Sequence, residues 1–363
     1  MSDLKKILGG KVINPQPIKG DSSLVDLIDQ VFISYNSGRI IEASQIFARK
    51  MLKEDVTIGL SLAGALTPAG LGKSCVVPLM EHGFLDWIVT TGANLYHDIH
   101  FALGLELRQG TPFCDDALLK KEGVVRIYDI VFDYQVLLKT DNYLKDVFQK
   151  EQFQKKMGSA EMHYQLGECL DREEKKRGLA GSSILASAYR SGIPVYSPSP
   201  GDSSIGMNCA ARALTGSTMS IDINLDVNES AEIVYSAKKS GGKSGALILG
   251  GGAPKNFILQ TEPHIQEVLG LHENGHDYFI QITDARPDTG GLSGATPNEA
   301  ISWGKVNPQG LPDTVVAYVD TTIALPVITA YALNKSAARP HKRLYDKRTA
   351  MLDDLQKEYL ENM

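Results

Sequence analysis

The sequence predicts an α/β fold built on a doubly wound, mostly parallel β-sheet. Six short apolar runs end in glycine or in a small polar cluster, and longer segments of mixed polarity lie between them. Continuous apolar runs of this length are typical of strands that are buried on both faces. Their alternation with helix-length segments indicates a sheet that is covered by helices on each side.

The six predicted strands are distributed over most of the chain. They comprise residues 56–62, 87–91, 193–196, 245–250, 278–282 and 314–319. The mixed segments 230–239 and 261–274 are expected to be crossover helices. Since ligands bind at the carboxyl ends of the strands in such folds, the polar turns after the runs are the candidate binding elements.

Two segments are expected to lie outside this sheet. Residues 1–53 are predicted to form a helical N-terminal segment, with apolar residues at helical spacing from Leu24 to Phe32. Residues 136–180 are highly charged and are predicted to form an exposed helical insertion, because such charge runs usually face solvent. No boundary separates independent folding units, so the whole chain, 1–363, is predicted to be a single domain.

The composition is that of an ordinary soluble globular protein. Of the 363 residues, 43% are hydrophobic and 22% are charged, and the formal net charge is −6. This mildly acidic balance argues against a nucleic-acid-binding protein and fits cationic substrates. The N-terminus lacks the apolar core of a signal peptide, and no apolar stretch reaches the ~18 residues of a membrane span. A cytoplasmic location is therefore expected.

Neither the cysteines nor the histidines predict a metal site. The cysteines are far apart and form no CxxC pair, as is typical of reduced thiols: Cys75, Cys114, Cys169 and Cys209. His97 and His100 form an HxxH pattern, but helical metal pairs more often lie four residues apart, and no third ligand is near in sequence. We expect no metal. His97 is instead a hypothetical acid or base, because it follows the polar turn 90–92.

The segment 293–305, which reads SGATPNEAISWGK, contains several residues that could take part in catalysis or in substrate binding. Thr296, Pro297 and Glu299 have the pattern of a helix start, with a hydroxyl N-cap, a proline at the first position and a glutamate at the third. On spacing alone, Glu299 is more simply a capping carboxylate than a substrate ligand.

Trp303 and Lys305 complete this segment, and each has a plain structural interpretation. Trp303 lies four residues after Glu299, on the same helix face, and is either a core residue or a cation–π partner for an alkylammonium. Lys305 is near the expected helix end, where a lysine stabilises the helix dipole. A lysine beside an acid and an indole is also a plausible amine-handling site.

The segment closely resembles the active-site signature of the deoxyhypusine synthase family, and the resemblance continues in order through residues 55–335. These enzymes use NAD to move an aminobutyl group from spermidine to an acceptor amine, and a lysine is their covalent nucleophile. The resemblance implies a Rossmann-like NAD-binding fold of the deoxyhypusine synthase type, and a homotetramer with active sites at subunit interfaces. It also implies that Lys305 forms an imine, that Glu299 binds a substrate ammonium and that Trp303 packs against the polyamine.

The resemblance further implies a cofactor site and additional substrate contacts. The implied NAD-binding residues are Thr91, Gly92, Ala93, Asp202, Gly251, Asp284, Ala285, Asp320 and Thr321. The further implied substrate-binding residues are His97, Asn256, Gly290, Gly291 and Leu292. The sequence contains no Walker motif and no convincing GxGxxG after the first strand, and from the residues alone these aspartates and glycines are equally caps and turn formers.

Three departures from the family pattern bear on amine recognition. Asn256 replaces a histidine that usually follows the triple glycine, Tyr96 and His97 replace paired glutamates of the eukaryotic members, and an aspartate is replaced by Met207 or Asn208. Each protonated amine requires a charge-assisted partner, so fewer carboxylates indicate altered recognition of the polyamine donor.

These departures leave several functions open. The chain is similar to bacterial deoxyhypusine synthase-like proteins, some of which make homospermidine from putrescine, so both putrescine and a protein lysine are candidate acceptors. The alternatives are a catalytically silent homologue that binds NAD or polyamine, and an NAD-dependent polyamine dehydrogenase.

A nucleophilic Lys305 must be neutral when it reacts. With an ordinary pKa of ~10.4, only about one lysine in 2,500 is neutral at pH 7, so we expect burial to depress the pKa of Lys305.

Overall fold

A computed structural model describes residues 8–363 of the chain, and part of the predicted helical N-terminal segment, residues 1–7, lies outside them. The strands in chain order are β1 Val56–Leu62, β2 Trp87–Thr90, β3 Arg108–Gln109, β4 Val124–Ile127, β5 Ile130–Asp133, β6 Lys156–Met157, β7 Val195–Tyr196, β8 Ser220–Ile221, β9 Lys243–Leu249, β10 Tyr278–Ile282 and β11 Thr314–Ala317. The α-helices are α1 Leu24–Gln30, α2 Tyr35–Ile46, α3 Val77–Glu81, α4 Gly92–Ala102, α5 Asp116–Lys121, α6 Tyr134–Val147, α7 Ser159–Arg177, α8 Ile184–Ser191, α9 Ser204–Ala213, α10 Ile223–Lys239, α11 Gly252–Pro263, α12 Pro297–Ser302, α13 Thr321–Lys335 and α14 Leu344–Asn362. None of the helices in the described part of the chain is long and apolar enough to cross a membrane.

Six parallel strands form the central sheet, in the order β11-β10-β9-β1-β2-β7. The chain starts in the middle, extends the sheet to one side through β2 and β7, and then returns to extend it to the other side from β9. The order therefore reverses between β1 and β9, and ligands bind outside the carboxyl ends of the strands at such a reversal. The predicted doubly wound α/β sheet is confirmed, and its six strands lie within about two residues of the predicted bounds.

Both faces of this sheet are buried, which explains why its strands are continuous apolar runs. Leu247 and Leu249 of β9 pack into one hydrophobic core, whereas Ala246 and Ile248 pack into the other. This alternation follows from the two-residue period of a strand. Gly59 in β1 is required by packing, because a Cβ there would lie 2.6 Å from the Trp87 side chain.

The crossover helices differ in extent from those predicted. The segment 230–239 is the second half of α10, as expected. The segment predicted as 261–274 is helical only to Val268, because α11 begins earlier, at Gly252, and ends through a π-helical turn, His264–Val268. A three-stranded antiparallel sheet, in the order β3-β5-β4, was not predicted from the sequence.

The two predicted peripheral segments are corrected by the structure. Residues 8–23 contain no helix, because glycines and prolines at Gly9, Gly10, Pro15 and Pro17 oppose one, and helical structure begins only at α1.

The charged segment 136–180 is largely helical, but it is not simply exposed. One face of α7 is buried against α8 and β7, and it includes two acidic residues, Asp171 and Glu174. Arg190 compensates their charges, with Nη1 at 2.9 Å from Asp171 Oδ1 and 3.1 Å from Glu174 Oε2. The charge run therefore contains buried ion pairs as well as a solvated face.

A buried ion pair joins the C-terminal region to the amino ends of the central strands. Arg339 Nη2 lies 3.1 Å from Asp86 Oδ2, and Arg339 Nε donates to Gly83 O at 2.8 Å. The guanidinium also donates to Val56 O, while Asp86 accepts from Ile58 N at 2.8 Å. Burial raises the pKa of Asp86, against the nearby charges of Arg339 and Lys342. Arg339 thus secures the start of β1 and the turn before β2.

We predict that Arg339→Ala lowers the free energy of unfolding by about 3–5 kcal/mol, because it leaves a buried carboxylate without its counterion. Urea denaturation monitored by circular dichroism measures this loss. Arg39→Ala is the matched control, since Arg39 pairs with Glu42 in an exposed i, i+3 position and should contribute at most about 1 kcal/mol. Equal effects of the two substitutions would contradict the importance of the buried pair.

Candidate active site

The turns that follow the central strands meet at one edge of the sheet. Backbone hydrogen bonds continue beyond the strands, from Ala63 N to Leu249 O at 3.0 Å and from Thr283 N to Ala317 O at 3.0 Å. Gly250 N likewise donates to Ile282 O. All the predicted cofactor-binding residues lie in the turns at this edge or in the helix starts that follow them: Thr91, Gly92, Ala93, Asp202, Gly251, Asp284, Ala285, Asp320 and Thr321.

Glycines allow two of these turns to pack tightly. A Cβ on Gly251 would overlap Ser293, whose Oγ accepts a hydrogen bond from Gly252 N at 3.0 Å. A Cβ on Gly92 would overlap Ser203. Gly252 itself has a positive φ of 59°, and a Cβ there would meet no other atom, so there is open space beside the N-terminus of α11. Such a glycine-lined helix start is suited to hold an anionic group.

Several polar residues at the edge also cap helices. The sequence allowed these residues to be either caps or cofactor ligands, and the capping role is present in the structure. Thr91 Oγ1 accepts from Asn94 N at 3.1 Å and donates to Gly64 O at 2.6 Å. Asp320 Oδ1 accepts from Thr322 N at 2.7 Å at the start of α13. Asp202 and Asp284 are exposed at the same edge.

One cavity of about 290 Å³ collects most of the residues predicted to contact substrate. Asn256, Leu292, Glu299, Trp303 and Lys305 all line it. The remaining wall is largely apolar and includes Leu259, Phe279, Ala295 and Ala300. Gly290 and Gly291 are in the turn that leads to Leu292. The cavity thus combines apolar walls with one carboxylate and primary amines.

The helix start that was predicted from Thr296 and Pro297 positions the carboxylate. Thr296 Oγ1 accepts from Glu299 N at 3.3 Å, and Pro297 occupies the first helical position. The Glu299 side chain lines the cavity. Trp303 is 58% exposed, so it is not a core residue in the described part of the chain.

Lys305 lies between an amide and an indole. Its Nζ donates to Asn256 Oδ1 at 3.3 Å and is 5.6 Å from the centroid of the Trp303 ring. Partial burial lowers the pKa of Lys305, while the charges of Glu299 and Glu267 oppose this effect. The direction agrees with the requirement for a neutral nucleophile.

A second lysine in the cavity was not identified from the sequence. Lys255, in the first turn of α11, is only 3% exposed. Burial lowers its pKa to about 8, with Glu299 raising it and Lys305 lowering it further. One sequence signal could have identified Lys255 as a site residue: it lies directly before Asn256, three residues beyond the triple glycine. Its burial could not be predicted from the sequence, because lysines are almost always exposed.

His97 is separated from this cavity in the chain. It lies on α4, where its Nδ1 is 3.2 Å from His100 Nε2, and His100 Nδ1 is 2.8 Å from Thr140 Oγ1. Burial lowers the pKa of His97, and burial with the neighbouring His97 lowers that of His100 to about 3. The two rings are therefore neutral at pH 7.

Of the residues at the departures from the family pattern, Asn256 contacts Lys305, whereas Tyr96 adjoins His97 and shares a hydrogen-bond partner with Asn208. Tyr96 OH donates to Asp141 Oδ1 at 2.9 Å, and Asn208 Nδ2 donates to the same oxygen at 2.9 Å. Met207 is 61% exposed. No group of three or more potential metal-ligating side chains occurs among residues 8–363.

Comparison with known proteins gives a consistent result. The family model described as deoxyhypusine synthase matches residues 23–332. A deoxyhypusine synthase-like protein of Nostoc punctiforme is 59% identical over 357 residues, covering 98% of this chain and 91% of that protein. A protein of Methanosarcina acetivorans named probable deoxyhypusine synthase 2 is 40% identical, covering 86% of this chain and 87% of its own length.

A solved structure supports the fold independently. An Entamoeba histolytica protein assigned to the deoxyhypusine synthases superposes with a TM-score of 0.57, covering 91% of this chain and 100% of its own. The two sequences are only 16% identical, so this likeness concerns the fold alone.

We predict that Glu299→Gln lowers the pKa of Lys305 further. The carboxylate of Glu299 stabilises the ammonium of Lys305, and the neutral amide removes that stabilisation while keeping the side-chain shape. An NMR titration of the Lys305 side chain should show its midpoint at lower pH than in the wild type. Glu361→Gln, at an exposed position of α14, is the control and should leave the midpoint in place. An unchanged Glu299→Gln midpoint would show that this carboxylate does not act on Lys305.

Proposed function

Because the chain belongs to the deoxyhypusine synthase family, whose members are aminobutyltransferases, we propose that it moves the 4-aminobutyl group of spermidine or a related polyamine through Lys305 to an acceptor amine. The observation that carries this proposal is the placement of Lys305, with a lowered pKa, in one cavity with Glu299 and Trp303. Apolar walls suit the methylene chain of a polyamine, and the carboxylate and indole suit its ammonium groups.

In the proposed reaction, Lys305 exchanges one amine for another. Its neutral Nζ attacks the carbon–nitrogen double bond of the oxidised donor, and 1,3-diaminopropane leaves with the displaced nitrogen. The acceptor amine then attacks the imine on Lys305 and releases the lysine. Asn256 Oδ1 accepts an N–H of Lys305 and can thereby orient its lone pair, while Glu299 holds a substrate ammonium.

We propose NAD as the cofactor, held at the carboxyl edge of the sheet by Thr91–Ala93, Asp202, Gly251, Asp284–Ala285 and Asp320–Thr321. The open space beside Gly252 at the start of α11 and the reversal of strand order next to it fit a dinucleotide. When bound, NAD would supply reversible hydride transfer at the carbon beside the secondary amine. The chain's own residues supply the binding, orientation and electrostatics.

Putrescine is the acceptor we propose to test first, with a protein lysine as the other. The support is chemical: Asn256 and His97 replace groups that the family usually carries, so the charges presented to the amines differ.

We further propose a homotetramer in which the active sites lie at subunit interfaces. Large apolar side chains are exposed near the carboxyl edge, including Leu292, Trp303, Tyr318 and Ile323. Such exposed groups are typical of surfaces that are covered by another chain. Within one chain His97 is outside the Lys305 cavity, so a role for His97 in substrate binding requires the assembly.

The function is tested by mass spectrometry of the products formed with NAD, spermidine and putrescine. We expect homospermidine and 1,3-diaminopropane from the wild type and neither from Lys305→Ala. Diaminopropane without homospermidine, together with a borohydride-trapped adduct on Lys305, would assign the acceptor to a protein lysine. Steady accumulation of NADH would identify a dehydrogenase, and the absence of all products would contradict aminobutyl transfer from spermidine.

We predict that Trp303→Leu raises the KM for spermidine by about 2- to 30-fold, since a cation–π contact contributes roughly 0.5–2 kcal/mol. Trp303→Phe keeps an aromatic face and should cause a smaller increase. Steady-state kinetics with varied spermidine measure both variants. A fall in kcat at an unchanged KM would contradict a binding role for the indole.

A further inference from the structure

The buried lysine of the cavity, Lys255, has all its hydrogen-bonding capacity engaged by the protein. Its Nζ donates to Ala295 O at 2.7 Å, to Gln281 Oε1 at 2.9 Å and to Ser293 O at 3.4 Å. A lysine ammonium has three N–H donors and no acceptor, so each donor has a partner. Lys255 therefore has no donor left for a substrate, and its function must operate through the groups that it contacts.

These contacts join three elements of the site. Ser293 and Ala295 directly precede the N-cap of α12, and Gln281 belongs to β10. Gln281 Nε2 donates to Gly250 O at 2.9 Å and to Ser293 O at 2.8 Å. Lys255 and Gln281 thus connect the glycine turn after β9, the end of β10 and the segment that leads to Lys305.

We propose that Lys255 is a positioning residue for Lys305, because its ammonium fixes residues 293–295 and so holds α12 and its carboxylate around the cavity. The consequence for catalysis rests on the function proposed above, whereas the placement is a property of the protein without ligands. Without Lys255, Gln281 and two carbonyl groups lose a donor in a buried place, and water or a rearranged segment must replace it. Burial lowers the pKa of Lys305. In this proposal, that burial depends on residues 293–295 staying in place.

The test is a titration of Lys305 in the Lys255→Met variant, without NAD or polyamine. We expect its midpoint to move to higher pH, because water admitted by the loosened segment relieves the desolvation that is the largest cause of the lowered pKa, and this outweighs a weaker contact with Glu299, which acts in the opposite direction. Reductive methylation of Lys305 near pH 7.5, followed by peptide mass spectrometry, should consequently slow at least about threefold. The Gln281→Met variant below keeps the charge of Lys255 and so separates this effect from the loss of a neighbouring positive charge.

Lys342→Met is the matched control. It removes another partly buried lysine, whose Nζ donates to Thr57 Oγ1 at 3.0 Å. Thr57 is the second residue of β1, at the opposite end of the sheet from the carboxyl edge. This variant should leave the Lys305 midpoint unchanged. A Lys255→Met protein that melts at lower temperature but keeps the wild-type midpoint would reduce Lys255 to general stability and overturn the proposal.

A second variant covers the case in which Lys255→Met does not fold. Gln281→Met removes one acceptor of Lys255 and two donors of the same network, and its Lys305 midpoint should also rise. An unshifted midpoint in folded Gln281→Met would overturn the proposal. The outcome is separable from the proposed function, since a failure to form homospermidine would leave the expected shift intact.

Discussion

Burial of both faces of the central sheet is the constraint on which the rest of this structure depends. Because β1 is buried along its whole length and β9 contributes alternate residues to two cores, the strands themselves have no surface for polar chemistry. Polar groups that are accessible to a ligand can therefore occur only where the strands end. The grouping of the glycine turns and of the Lys305 cavity at the carboxyl edge of the sheet follows from this one restriction.

The same constraint determines what the sequence can reveal. A strand buried on both faces leaves a continuous apolar run, and for this reason all six central strands were recognisable. The helix start at Thr296 was recognisable too, because hydroxyl, proline and glutamate act locally. The short strand β3 is exposed, β4 and β5 are mostly only partly buried, and none of the three was predicted, because they lack such a run.

Burial of charge is the feature that local patterns do not encode. Asp171 and Glu174 lie in a run that reads as a solvated face, yet Arg190, distant in sequence, makes their burial possible. Lys255 is likewise buried because the side chain of Gln281 in β10 and two carbonyl groups of the segment 293–295 converge on it. The assignment of Lys305 as a nucleophile came from a family resemblance rather than from spacing, since a lysine at a helix end is usually unremarkable.

The ion pair of Asp86 and Arg339 has a consequence for how the molecule is made. The two residues are separated by 253 positions, so Asp86 is synthesised long before its counterion exists. Contacts of such long range form late, because the loop between them must first be ordered. During translation the amino ends of β1 and β2 therefore stay without this buried ion pair until the segment that contains Arg339 has left the ribosome. A nascent chain in that interval is incompletely packed and prone to associate with its neighbours, so its yield should depend on how quickly that segment is made.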